Sequence, residues 1–311
     1  MIYTLGETVL DILFRNNVAV SSTPGGSMLN ASISLGRLGL PVSFISEYAN
    51  DRVGDLIDNF LHDNGISTAL VNRNSGKTPV ALAFLDERND AHYQFYRQTV
   101  QTENRISLPD FHSGDIFLFG SFYAIQKENR KAVMALLEKA RENDTVIIYD
   151  PNFRKPHLHQ LPELKPLILE NMAFADIIRA SDEDFKLIFD EDDAGKCVDK
   201  ILKNMGTLQS FPSTRKPSPI LILTRNSKGV DLHTLGFDLH LDSKEIRPLS
   251  TIGAGDTFNS GVVYGLYMNR ILKKDLTAIP SGKWKEILHF AIDLASEVCL
   301  SMDNYIDTTK D

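Results

Sequence analysis

Cysteine is scarce in this chain: two of 311 residues, Cys197 and Cys299. Neither belongs to a C-x-x-C pair or to a spacing that would hold zinc. A disulfide framework and a zinc module are therefore excluded, and reduced thiols of a cytoplasmic protein are expected. Long apolar runs are also missing. None approaches the roughly 20 residues that a membrane-spanning helix needs. The opening residues, Met1-Ile2-Tyr3-Thr4-Leu5-Gly6-Glu7, carry no basic stretch ahead of an apolar one. They read as a first strand rather than a signal peptide. Basic residues are outnumbered, 33 against 41 acidic, for a net charge of -8 at pH 7. That balance argues against a nucleic-acid surface.

Several catalytic motifs are absent too. Gly76-Lys77-Thr78 has the ending of a P-loop, but Val71 stands where its first glycine belongs. No G-x-G-x-x-G, H-E-x-x-H or G-x-S-x-G occurs. A Walker-type nucleotide site, a dinucleotide fingerprint, a zincin and an α/β-hydrolase are thereby disfavoured. No short-period repeat is present either.

What is present is a regular alternation. Near-continuous apolar runs occur at Val42–Ser46, Asp115–Gly120, Val146–Tyr149 and Ile220–Thr224. Strands buried on both faces of a parallel sheet look like this. Helical patterns lie between them, over Asn30–Leu38, Val53–His62, Lys127–Glu142, Leu161–Phe174 and Gly195–Met205. The alternation predicts a doubly wound α/β layer structure with ligands beyond the carboxyl ends of the strands. Two segments break it. Residues at about 9–20 and 78–98 read as strands without helices between them, and the second as a hairpin with its turn at Glu87–Asp90. They predict a small β-sheet projecting from the main layer. Gln209–Pro219, rich in Ser and Pro, reads as a loop.

The densest chemical signal is Thr251-Ile252-Gly253-Ala254-Gly255-Asp256-Thr257-Phe258, which runs straight into a helical pattern. Glycines let backbone N–H groups approach a ligand, and a helix start aims free N–H groups and its positive dipole end at the same place. The result is an anion site with a carboxylate beside it, suited to phosphoryl transfer onto a hydroxyl. A plain turn with a capping aspartate would use the same residues. A second glycine motif, Pro24-Gly25-Gly26-Ser27-Met28-Leu29-Asn30-Ala31, precedes another helix. Asn30 offers both a donor and an acceptor, which suits a sugar hydroxyl.

Taken together, Gly25-Gly26 with Asn30-Ala31, Asp150-Pro151-Asn152-Phe153-Arg154 at mid-chain and Gly253-Ala254-Gly255-Asp256 resemble the signature of the ribokinase/PfkB carbohydrate kinase family, over essentially the whole length. The resemblance implies one kinase domain over residues 1–311, a ribokinase-like three-layer αβα sandwich with a mostly parallel sheet and a small β-sheet lid. It implies an ATP-dependent carbohydrate kinase, with fructose the favoured acceptor, 2-keto-3-deoxygluconate kinase or ribokinase the alternatives, and a noncatalytic sugar-binding regulator the reading from another class. Asp256 would be the general base, and Gly253, Ala254 and Gly255 the anion hole. Asp11, Gly26, Asn30, Tyr96, Arg97 and Arg154 would face the sugar. Thr224, Gly229, Ser181 and Asp184 would border ATP, with Asp184 near Mg²⁺, directly or through water. Lid strands in similar kinases sometimes pair two copies into a homodimer. Three departures stand out: Ser250 replaces an aspartate tied to potassium activation, Asn226 replaces a glycine, and Ser181/Asp184 replace an Asn/Glu pair.

Overall fold

The structure is a computed structural model that describes residues 1–85, 91–97, 106–191, 196, 199–201 and 218–307. The expected turn at 87–90, Gln98, Cys197 and most of the loop at 209–219 lie outside the described residues, and of the helix expected over 195–205 only 196 and 199–201 are described.

The main sheet has nine strands in the order β13-β12-β11-β10-β9-β8-β1-β4-β5. Its parallel part comprises β1 (Ile2–Leu5), β4 (Val42–Ala49), β5 (Ile66–Asn74), β8 (Ile116–Gly120), β9 (Val146–Asp150), β10 (Ile177–Ser181) and β11 (Ile220–Thr224). At one edge β12 (Val230–His233) and β13 (Asp238–Leu241) continue the sheet antiparallel. The four expected apolar runs all fall on parallel strands. The edge strands β5 and β13, and β12 next to β13, escaped the sequence reading, because one polar face breaks the continuous apolar run that marks a buried strand.

Successive residues of a strand point to opposite faces, and this chain uses both faces as core. Val146 and Ile148 of β9 join one apolar cluster, Ile147 and Tyr149 the other. The first cluster is closed by α1 (Ser27–Arg37), α2 (Arg52–Asp63), α6 (Ala254–Met268) and α7 (Ser281–Cys299). The second is closed by α3 (Arg130–Glu142), α4 (Leu161–Phe174) and α5 (Asp182–Phe189). A three-layer αβα sandwich results, as expected.

The small sheet has four strands in the order β3-β2-β6-β7. β2 (Val9–Arg15) pairs antiparallel with β3 (Val18–Gly25), and β6 (Val80–Leu85) antiparallel with β7 (Ala91–Tyr96), as the hairpin reading required. The two hairpins meet through a parallel β2–β6 contact. Strand β3 runs straight into α1, so the small sheet is wired to the glycine pair at the start of that helix.

Candidate active site

Gly253 caps α6 in the left-handed region, with φ +80. A side chain there would meet the Asn304 carbonyl oxygen at 2.1 Å. No side chain caps this helix end. Its first-turn N–H groups lack the intrahelical partners that later residues have, and the positive end of the dipole adds to them. Asp256 sits in that turn and is buried. Its Oδ1 accepts a hydrogen bond from Ser27 Oγ at 2.5 Å, and its Oδ2 accepts one from Asn30 Nδ2 at 2.9 Å. Both donors lie in the first turn of α1, which opens after Gly26 at φ +134. A Cβ on Gly26 would lie 2.3 Å from the Glu7 carbonyl oxygen. Two helix starts from opposite ends of the chain therefore converge on one carboxylate. Burial pushes the Asp256 carboxyl up, the Ser27 and Asn30 hydrogen bonds pull it back, Asp150 pushes it up further and Arg154 opposes that. The Asn30 Oδ1 is buried without a hydrogen-bond partner, which leaves an acceptor for a ligand hydroxyl.

Under the anion turn lies a network that sequence reasoning missed. Asp150, at the end of β9, is fully buried. Its Oδ2 accepts from Arg179 Nη1 at 2.9 Å and from Asn259 Nδ2 at 2.6 Å. Arg179 Nη2 donates to Thr224 Oγ1 at 2.7 Å. The guanidinium packs so closely beneath the turn that a Cβ on Gly255 would meet Nη1 at 2.9 Å and Nη2 at 3.0 Å. Glycine at 255 is thus dictated by a buried cation below, and that cation adds positive charge under the N–H groups. A lone arginine inside the apolar run Ile177-Ile178-Arg179-Ala180 was the available signal: buried arginine is rare without a partner. Ser27 was in view as part of the glycine motif, but only the fold shows that it faces Asp256.

The other residues expected at the sugar come from the small sheet and from the loop after β9. Asp11, midway along β2, packs against Gly25; a Cβ there would come within 2.3 Å of Asp11 Oδ2. Burial pushes the Asp11 carboxyl up to about 6. Arg97, just beyond β7, is exposed and its Nη2 lies 3.6 Å from Glu7 Oε2. Tyr96 is also exposed, at 53%. Arg154 is exposed and acts electrostatically on Asp256. The Tyr123 hydroxyl and Ser121 Oγ are buried without partners.

The residues expected at ATP are occupied within the protein. Ser181 and Asp184 form a capping box at α5. Asp184 Oδ2 accepts from Ser181 N at 2.8 Å and from Ser181 Oγ at 2.6 Å, while its Oδ1 accepts from Phe153 N at 2.6 Å. Both carboxylate oxygens accept hydrogen bonds, so the geometry ties α5 to the 150–154 loop. No group of three His, Cys, Asp or Glu suited to a metal occurs among the described residues. Thr224 is bound by Arg179, and Gly229 turns β11 into β12 at φ +88. Asn226 has φ +50, a left-handed position that asparagine tolerates better than most residues, which explains how it replaces a glycine. Ser250 Oγ accepts from Ile252 N at 3.2 Å, so the segment before α6 carries a hydroxyl and no carboxylate at that position.

A family model described as pfkB family carbohydrate kinase matches residues 4–310. The chain is 26% identical over 304 residues to probable fructokinase-4 of Arabidopsis thaliana, covering 94% of this chain and 88% of that protein. Among solved structures, fructokinase from Vibrio cholerae O395 in its fructose-, ADP- and calcium-bound form superposes with a TM-score of 0.79 at 17% identity, covering 97% of this chain and 94% of that one. Aminoimidazole riboside kinase from Salmonella enterica, complexed with aminoimidazole riboside and an ATP analog, gives the same TM-score, identity and coverage. This chain belongs to the pfkB family of carbohydrate kinases and is a sugar kinase.

Proposed function

We propose that this chain, folded as one kinase domain, transfers the terminal phosphoryl group of ATP to a hydroxyl of fructose. The observation that carries the reading is Asp256, held by Ser27 and Asn30 at an uncapped helix start. Asp256 takes the proton of the attacking hydroxyl. The N–H groups of the Gly253 cap and of Ala254 and Gly255 in the first turn, with Ala254 N–H held in the structure by the Thr251 carbonyl at a long 3.4 Å, receive the charge that develops on the transferring group, which is where positioned donors count most. Arg154 adds a cation at the same face. Asp11 and the free Asn30 oxygen hold sugar hydroxyls, and the small sheet closes over them as a lid. The turn suits a nucleotide phosphate, and magnesium brought with ATP would neutralise phosphate charge when bound. Asp184, at the start of α5, would contact such a metal directly or through water.

Fructose is favoured because the curated relatives are fructokinases. Superposition alone does not select it, since a riboside kinase fits equally well. A noncatalytic regulator would have no use for the Ser27–Asp256–Asn30 arrangement. With Ser250 carrying no carboxylate, turnover independent of potassium is expected: replacing potassium by sodium should change kcat by less than about twofold, and a larger loss would restore a cation site. Exposed Val18, Val20, Phe95 and Tyr96 on the small sheet support the homodimer arrangement, which sedimentation resolves against the 34.8 kDa of one chain. The deciding experiment is a coupled ADP-release assay with Mg-ATP across fructose, ribose and 2-keto-3-deoxygluconate. Fructose should give the highest kcat/KM; preference for either other acceptor overturns the assignment.

A further inference from the structure

Glu7 and Arg97 form an ion pair that phosphoryl transfer does not use. Glu7 follows β1 and Arg97 follows β7, so the pair bridges the main sheet and the small one. Glu7 is close to the chemistry: its carbonyl oxygen packs on Gly26, whose neighbour Ser27 holds Asp256. The Glu7 Oε2 is buried and has no hydrogen-bond partner, yet it lies 3.6 Å from Arg97 Nη2. The separation is within ion-pair range and too long for a hydrogen bond. The pair therefore sets a cation against a buried carboxyl, which burial pushes up and Arg97 pulls back.

We propose that Glu7 sets the charge class of the acceptor: by pairing with Arg97 it withholds the arginine from substrate carboxylates, so that the site takes a neutral sugar and rejects a sugar acid. This rests on the kinase reading above and deepens it. An exposed guanidinium beside a sugar pocket is a natural clamp for a carboxylate, because its planar fork matches two oxygens. Here that fork faces the Glu7 carboxyl, 3.6 Å away. A sugar acid entering would have to displace Glu7 and leave its buried carboxylate without a counter-charge, a repulsive element of the kind that discriminates between ligands. The surroundings reinforce the bias. Glu7 and Glu47 both act electrostatically on the Tyr123 hydroxyl, while Asp11 packs on Gly25 and Asp256 is held by Ser27, the two neighbours of the Gly26 that the Glu7 carbonyl touches. Against these four carboxylates the site sets Arg97 and Arg154.

The test uses 2-keto-3-deoxygluconate as a competitive inhibitor of fructose phosphorylation by the full chain. Its readout is KM for fructose divided by Ki for the acid. Glu7→Gln should raise this ratio about tenfold or more, the size of a desolvated charge effect. Arg97→Met should lower it, and the double variant should fall back to or below the wild-type ratio. The Arg97 arm stands alone if Glu7→Gln does not fold, because that side chain is exposed. An unchanged ratio in folded Glu7→Gln overturns the proposal. So does an equal rise in the double variant, which would mean simple repulsion by Glu7 without the arginine. So does a rise or no change in Arg97→Met. Wild-type enzyme that phosphorylates the acid in preference to fructose defeats the fructose reading as well; fructose turnover with no shift in Glu7→Gln defeats only the role of Glu7.

Discussion

The floor of the site and the sheet above it are built on opposite principles. The floor, around the first turn of α6, is buried and densely hydrogen-bonded. Arg179, Asp150, Asn259 and Thr224 are tied to one another, with only Arg179 Nε and Asn259 Oδ1 left unpartnered, and Ser27 and Asn30 fix both oxygens of Asp256. The small sheet is exposed along β3 and carries Val18, Val20, Phe95 and Tyr96 in solvent. Groups that must be aimed at a reacting atom sit where every neighbour restrains them. Groups that must let a sugar in and out sit on a sheet with few packed neighbours, the part of a fold with the lowest local stability. Substitutions in the floor should therefore cost chemistry or folding, and those in the small sheet should cost affinity.

The largest effect is expected at Asp256. Asp256→Asn keeps the shape and can still accept from Ser27, but it cannot take a proton. A fall in kcat of about 10²–10⁴ is expected, the usual contribution of a general base, with KM for the sugar changing far less. Rapid-quench or coupled turnover measurements decide it. A variant with near wild-type kcat would remove Asp256 from the chemistry and leave it as a cap.

The next effect is on folding. Arg179→Met leaves the Asp150 carboxylate buried with no counter-charge, and breaking such a pair costs about 3–5 kcal/mol. Urea unfolding should show that loss, and adding Asp150→Asn should restore part of it, because two groups in one network are not additive. A loss below about 1 kcal/mol would mean that Asn259 and the 150–154 backbone are enough to hold Asp150. It would also weaken the account of why residue 255 is glycine.

The same contrast explains what could be read from the sequence. Apolar runs at Phe117, Ile147 and Ile222 announce buried parallel strands, because burial on both faces leaves no polar alternation to confuse them. Gly253-Ala254-Gly255-Asp256 is legible because its demands are local: a left-handed cap, close backbone approach and a helix start. Asp150 could be seen as part of a motif but not as the partner of Arg179, since 29 residues and a whole helix separate them. Ser27 and Asp256 are 229 residues apart, so only the packing of α1 on α6 joins them. Asp184 reads two ways in sequence, as a metal-side group or a cap. In the structure it caps α5, its two oxygens accepting three donors. Long-range polar pairing is the information that a linear pattern does not carry.

The smallest effect lies in the small sheet, where Asp11 tests the affinity side of the comparison. Burial raises its carboxyl from 3.8 to about 6, so the folded state holds a proton over a window in which the unfolded chain has lost it. Its contribution to stability is therefore fully present below about pH 4 and is lost as pH rises through about 6. Asp11→Asn should raise the melting temperature at pH 7.5 by a few degrees at most and leave it unchanged at pH 3.5. Function runs the other way. The ionised carboxylate accepts two hydroxyl donors, and protonation takes one of those acceptors away. Between pH 7.5 and 5.5 the ionised fraction drops about fourfold for such a group, and KM for the sugar should rise by about that factor while kcat, governed by Asp256, follows its own profile. In Asp11→Asn, KM should be higher at every pH and this step should vanish. If the step survives in that variant, the titrating group is another carboxylate of the cluster and Asp11 does not grip the sugar.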